Sequence, residues 1–287
     1  MQGPETIAGP VLSWSRSDPE QRLAFRGARF TNVNPYFSVL LGSLLTIVFY
    51  FALVPFQATY FGAMFTQRGV IPYCIAAFFF WSIAILVTKY FKLCLQRKSL
   101  QIEIVPDDPE FVLSPTTVRE VYGRIVRSVD DPKHFILFNR ITIALSNLKN
   151  LGRVADVDDI MRSQAENDEK SMETSYSLLH GLVWAIPVLG FIGTVVGLSG
   201  AVGGFGEVLS STTDLSQVKD ALRGVTGGLA IAFETTLEGL VAALFIQLML
   251  TQLKKSEEDF HDACSEYCVT HIVGRLRLVP FETVEER

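Results

Sequence analysis

Residues 186–206 read IPVLGFIGTVVGLSGAVGGFG, and residues 224–245 read GVTGGLAIAFETTLEGLVAALF. The first carries no charge, and the second carries only Glu234 and Glu238. A helix needs about 20 mostly apolar residues to cross the hydrocarbon of a bilayer. Both stretches are long enough. The first sits in an uncharged tract between Glu173 and Glu207, which predicts a span from about Leu178 to Phe205. The second predicts a span from about Gly224 to Leu253, stopped by Lys254 and Lys255.

Two further runs lie upstream. Residues 36–56, YFSVLLGSLLTIVFYFALVPF, hold no charge, and residues 70–88, VIPYCIAAFFFWSIAILVT, are bounded by Arg68 and Lys89. Their length and near-complete apolarity favour spans over buried core helices. The composition agrees: 49% of the 287 residues are hydrophobic, 21 are Phe and only 19% are charged. Mean hydropathy is +0.30. The expected fold class is an all-α membrane protein with four transmembrane helices and long cytoplasmic helical extensions.

Orientation follows from Lys and Arg near the span ends. Arg16, Arg22, Arg26 and Arg29 precede the first span, whereas the loop after it holds only Arg68. Lys89, Lys92, Arg97 and Lys98 follow the second span, and Lys254 and Lys255 follow the fourth. Lys219 and Arg223, between spans three and four, run against the trend. The balance predicts cytoplasmic N- and C-termini.

The expected organisation is then a cytoplasmic tail (1–35), spans one and two (36–93), a cytoplasmic helical region (94–177), spans three and four (178–253) and a cytoplasmic helix and tail (254–287). In the middle region, Ser114-Pro115 is placed to start a helix. A second helix is expected from near Phe135 to Asn150, closed by Gly152. A third, from Asp156, is charged and feeds directly into span three, and its acidic first turn suits a helix N-terminus. The N-terminal 30 or so residues lack the compact apolar core of a cleavable signal peptide.

Several functions are excluded. A net charge of −5 offers no basic stripe for nucleic acid. Cys74, Cys94, Cys264 and Cys268 are too few for a disulfide scaffold and read as reduced thiols. There is no phosphate-binding loop, zinc-protease motif or nucleophile elbow, so no enzyme activity and no bound cofactor are expected. His261, Cys264, Cys268 and His271 fall at i, i+3, i+7 and i+10 of the expected tail helix. Ten positions of helix cover about 15 Å, too far for one metal ion to gather all four. They read as a packing seam, with no metal. His180 reads as an interfacial side chain, and Trp81 and Trp184 as packing.

Two helix faces carry a message. Gly190, Gly193, Gly197 and Gly200 lie along one side of span three, where small residues allow close helix approach in lipid. Thr194 sits beside that strip. On span four, Thr236 shares a face with Ala232, Gly239 and Ala243. Glu234 and Glu238 point nearly the opposite way. Carboxylates at that depth must be protonated, paired or wetted. They read either as hydrogen-bonded anchors between helices or as proton or cation ligands.

The motifs GFIGTVVGL (190–198) and AFETTLEGLVAAL (232–244), in this order, resemble the signature helices of the MotA/TolQ/ExbB proton-channel family. The resemblance covers roughly Leu178 to Leu253, and the two preceding spans resemble the four-span flagellar-stator layout. It implies a homo-oligomeric ring, typically of five subunits, enclosing two single-span partners of the MotB/ExbD/TolR kind, each with a transmembrane aspartate. It implies that Thr194 and Thr236, with Thr235 the alternative in a shifted register, line the path of H⁺ or Na⁺. Glu234 and Glu238 depart from the TolQ and ExbB pattern. The rival readings are a cation-coupled secondary transporter, with Glu234 and Glu238 as ligands, and a non-conducting membrane scaffold. Which process is driven is not legible.

Overall fold

A computed structural model describes residues 12–23, 25–106, 111–114, 117–147, 154–211 and 214–277. Among the described residues the chain is helical, with no strand and only two isolated bridges, Leu12–Val129 and Leu113–Leu276. The chain divides into two compact units.

One unit comprises residues 35–87 and 176–252. It holds α3 (Pro35–Leu53), which continues as a 3₁₀ turn (Val54–Phe56), the short α4 (Tyr60–Thr66), most of α5 (Ile71–Arg97), α9 (Ser177–Ser211) and most of α10 (Leu215–Cys268). Among the described residues, four helical stretches are long and apolar enough to cross a membrane: Pro35–Phe56, Ile71–Gln101, Val154–Ser211 and Leu215–Val273. The chain is thus a multi-pass membrane protein. Only 17% of the most apolar part of the first stretch is buried, although its mean hydropathy is 2.3. Phe51, Ile47 and Trp184 are exposed at 79, 66 and 72%. So large an apolar surface on a single chain is suited to lipid or to neighbouring subunits, not to water.

Helices α3 and α5 cross at Gly42. A Cβ there would lie 2.6 Å from the Trp81 Cα, so only glycine lets the backbones meet. Trp81 Nε1 donates to Ser38 Oγ at 3.1 Å beside this crossing. The turn before α5 uses Gly69 at φ +88°, a conformation that L side chains rarely adopt. Pro187 lies inside α9, where it removes one backbone N–H without ending the helix. Helix α10 begins earlier than the expected Gly224, because Asp214 caps it by accepting from the Ser216 N–H at 3.0 Å.

The other unit comprises residues 1–34, 88–175 and 253–287. It holds two single-turn helices, α1 (Trp14–Ser17) and α2 (Pro19–Arg22), then α6 (Val118–Ser128), α7 (Ile136–Asn147) and α8 (Val154–Ser175), with the C-terminal ends of α5 and α10. The expected start at Ser114-Pro115 shifts to Val118: Ser114 N donates to Thr117 Oγ1 at 2.8 Å, and Pro115 lies outside the described residues. The expected ends at Asn150 and Gly152 also lie outside them, α7 being described to Asn147. The charged helix reaches α9 with Tyr176 as its single non-helical residue. Helix α10 closes in a π-helical turn, Val269–Val273.

Trp14, 1% exposed, anchors this unit, stacking on His134 at 5.4 Å and meeting Phe135 edge-on at 5.3 Å. Beside it, Lys92 Nζ lies 2.7 Å from Glu20 Oε2 and 3.5 Å from Asp18 Oδ1, all three side chains fully buried. Lys92 also donates to the carbonyl of Asn32 at 2.8 Å. Burial pushes the Asp18 carboxyl up, and the nearby Lys92 ammonium opposes that push. Lys89 is equally enclosed, donating to Ser175 Oγ at 2.9 Å and pairing with Glu257 at 3.4 Å. Charges so buried persist only when paired and hydrogen-bonded.

Candidate ion pathway

The candidate site lies in the apolar unit, where α9 and α10 are in backbone contact. A Cβ on Gly190 would stand 3.0 Å from the Thr235 carbonyl oxygen and 3.2 Å from the Thr236 Cα. One on Gly239 would stand 3.0 Å from the Ile186 carbonyl oxygen. Gly193 faces Thr235, and Gly197 faces Gly228 and Ala232. Gly200 has no such neighbour within this chain, and the next close approach is Ala201 against Gly228. The helix surface has rotated past Gly200 there, since α-helical residues spaced three and four apart drift around the axis.

This closeness brings two hydroxyls together. Thr194 Oγ1 and Thr236 Oγ1 are hydrogen-bonded to each other across the helix pair. Thr194 Oγ1 also reaches the carbonyls of Ala232 at 3.2 Å and Gly190 at 3.3 Å, and Thr236 Oγ1 reaches Gly190 O at 3.1 Å. Each hydroxyl has one proton to donate and two lone pairs to accept with. Two protons therefore serve two carbonyls and one hydroxyl–hydroxyl bond, so one donor can be redirected while the other keeps a partner. Both threonines are half-buried. Thr235 is 1% exposed and donates to its own helix at Ala232 O, 3.0 Å away. Of the adjacent Thr235 and Thr236, Thr236 is the one with an accessible side chain.

Glu234 and Glu238 leave the opposite face of α10 and meet different surroundings. Glu234 Oε2 lies 2.7 Å from Arg68 Nε, and its Oε1 accepts from the Tyr60 hydroxyl at 3.0 Å and from an Arg68 terminal nitrogen at 3.3 Å. The loop between the first two spans supplies both partners. Thr59 caps α4, its hydroxyl accepting from Gly62 N–H at 3.2 Å, and that fixes where Tyr60 begins. Glu238 is 6% exposed, and neither of its carboxyl oxygens has a hydrogen-bond partner.

Residues 132–265 match the model of the MotA/TolQ/ExbB proton channel family. That segment, a little under half of the chain, is similar to this family. The match takes in α7, α8, α9 and most of α10, and therefore Thr194, Glu234, Thr235, Thr236 and Glu238, but not Tyr60 or Arg68. No curated protein matches the chain, and no solved structure does. The family so described is one of proton channels.

The histidines and cysteines singled out in the sequence lie elsewhere. Cys264 and Cys268 are free thiols in the interior of the other unit, and His271 stacks on Tyr267 at 4.4 Å. Among the described residues no group of three or more His, Cys, Asp or Glu side chains is arranged to hold a metal. His180 is exposed at the start of α9. The residues that sequence reasoning missed are Tyr60, as a partner of Glu234, and Arg68, which had been read only as a topology marker.

Proposed function

We propose that this chain is the ring subunit of an ion-driven motor in the bacterial inner membrane. In this reading, identical subunits, five on the family pattern, surround the single transmembrane helices of a dimeric MotB/ExbD/TolR-like partner. Each partner helix brings an aspartate to the Thr194–Thr236 pair. With both termini cytoplasmic, protons cross toward the cytoplasm by way of that carboxyl. An incoming carboxylate accepts from one threonine hydroxyl while the other holds its backbone carbonyl. Protonation of the aspartate removes its charge and weakens that bond, so the partner helix moves on to the next subunit. H⁺ is the favoured ion over Na⁺, since two hydroxyls and two carbonyls are a sparse cage for a metal cation.

The observation that supports this reading is the hydroxyl-to-hydroxyl contact of Thr194 and Thr236 within the segment that matches the family. The transporter alternative is weakened by one contact. Glu234 is already paired with Arg68 and Tyr60, so it and Glu238 do not form a joint cation site.

The test is co-purification followed by flux. Expression with its neighbouring genes should yield a complex containing a small single-span protein with a transmembrane aspartate. In vesicles holding that complex, a proton gradient should dissipate with the native chain and with T236S, and should persist with T236V and T194V. T236V complexes must keep native size on gel filtration. If T236V conducts as the native chain does, the pore assignment is wrong.

A further inference from the structure

Beyond the threonine path, the four-helix unit holds a second polar locus, made by α10 and the first two spans. Its centre is Glu238. The side chain is 6% exposed, and both carboxyl oxygens are buried with no donor. From α3, the Tyr50 hydroxyl is also buried and unpartnered. It lies within electrostatic reach of Glu238, and Tyr73 and Cys74, from the start of α5, lie within reach of Tyr50. The Tyr50 and Tyr73 rings stack at 4.6 Å, which fixes the hydroxyl's position. The nearest carboxylate along α10, Glu234, is committed to Arg68 and Tyr60. No cation therefore faces Glu238 among the described residues.

A buried carboxylate without a counter-ion or donor is among the costliest groups in a protein interior. Gaining a proton removes that charge and creates an O–H donor on a carboxyl that still accepts. The Tyr50 hydroxyl, itself donor and acceptor, is a buried, unpartnered polar group within electrostatic reach of it. One proton on Glu238 thus cancels the charge, and either of the two orphaned groups can then be the donor when they pair.

We infer that Glu238 is a proton-binding site inside the subunit, with Tyr50 as its hydrogen-bonding partner, separate from the Thr194–Thr236 pair. Glu234, one turn away, is by contrast a fixed anchor for the loop between spans one and two. The site takes H⁺ and not Na⁺, because one carboxyl and one phenol give too few oxygens to replace a cation's hydration shell.

The proposal does not depend on a partner or on ring assembly, so it can fail or hold independently of the proposed motor. The purified chain in lipid nanodiscs is treated with dicyclohexylcarbodiimide, a hydrophobic reagent for protonated carboxyls, and the adducts are mapped by mass spectrometry. The adduct should fall on Glu238, disappear in E238Q, survive in E234Q and T236V, decline as pH rises, and be unaffected by Na⁺. Infrared spectra of the same samples should contain a protonated-carboxyl C=O band that E238Q lacks and Y50F shifts upward. Protection by Na⁺ at constant pH would make this a cation site and overturn the proposal. So would a carboxyl band unchanged in E238Q, whatever the reagent reaches. A band that Y50F leaves in place would refute the role of Tyr50.

Discussion

Replacing Gly190 with alanine tests the helix contact on which the threonine pair depends. The new Cβ would sit 3.0 Å from the Thr235 carbonyl oxygen and 3.2 Å from the Thr236 Cα, where ordinary contact begins at 3.4 Å. Both obstacles are backbone, so no side-chain rotation relieves them. The helices must part by a few tenths of an ångström, and overpacking of this kind costs about 1–3 kcal/mol. Alanine also gains about 1 kcal/mol over glycine in helix propensity, which would mask part of the loss. Gly181, on the same helix, cancels that gain: a Cβ there meets nothing within 4 Å. The quantity to measure is therefore the difference between G190A and G181A, expected at about 1–3 kcal/mol with G190A the less stable. Reversible unfolding in mixed micelles, followed by tryptophan fluorescence, gives it. Two variants equal to within about 0.5 kcal/mol, the scatter of ordinary surface changes, would refute close α9–α10 contact at Gly190.

Three other perturbations have definite outcomes. R68Q leaves Glu234 without its cation; with the pair only partly enclosed, the loss should be about 2–3 kcal/mol, and R68Q/E234Q should recover most of it in the same unfolding assay. K92M strips the ammonium from Asp18 and Glu20, so a loss of about 3–5 kcal/mol is expected. It should appear as faster tryptic cleavage at Arg26 and Arg29, reversed by adding D18N and E20Q. For Asp130, burial alone would raise the carboxyl, but the N–H groups of Trp14 and Ser15 and the hydroxyls of Ser13 and Ser15 outweigh it and hold the group at about 2 against an ordinary 3.8. A depressed carboxyl stabilises the fold above the ordinary value and loses that contribution as pH falls from about 4 to 2. The site is largely open to solvent, so the effect should be at most about 1 kcal/mol. Amide exchange at Trp14 and Ser15 should accelerate over that pH interval in the native chain, and D130N should show no such step.

Four spans were readable because a membrane imposes a length and an apolarity that few other environments demand. The runs at 36–56 and 70–88 need nothing but counting. The threonine face was readable for a different reason: helix period alone puts Thr236 in line with Ala232 and Gly239 and puts Glu234 and Glu238 opposite. Boundaries in the polar unit were less legible. Helix α6 starts at Val118, not Ser114-Pro115, because Ser114 and Thr117 hydrogen-bond to each other and to nearby backbone, a local competition that sequence position alone does not resolve. Gly190 meets Thr235 and Thr236 of α10 whereas Gly200 meets nothing within 4 Å in this chain, and one geometry accounts for both. A periodic strip predicts which residues share a face, but where two crossing helices diverge is set by their angle, which depends on the whole packed bundle.

The two glutamates show where a one-helix reading ends. They are the same residue type, one turn apart, on one face of α10, and nothing local separates them. What separates them is Arg68, 166 positions from Glu234 along the chain, brought in by a loop whose geometry rests on Thr59 capping α4. In the sequence, Arg68 counted only as the single cation of an otherwise uncharged loop. That count still bears on insertion, because the topogenic charge bias acts on a chain before its ion pairs exist. In the folded chain the same side chain has a second consequence. By neutralising Glu234 it leaves Glu238 as the carboxyl in this face without a countercharge, and a carboxyl in that position can lower its energy most directly by taking up a proton. The arginine that anchors one glutamate is therefore what distinguishes the other, and a relative that keeps the position of Glu238 but lacks a cation at that of Arg68 should have no such division of roles.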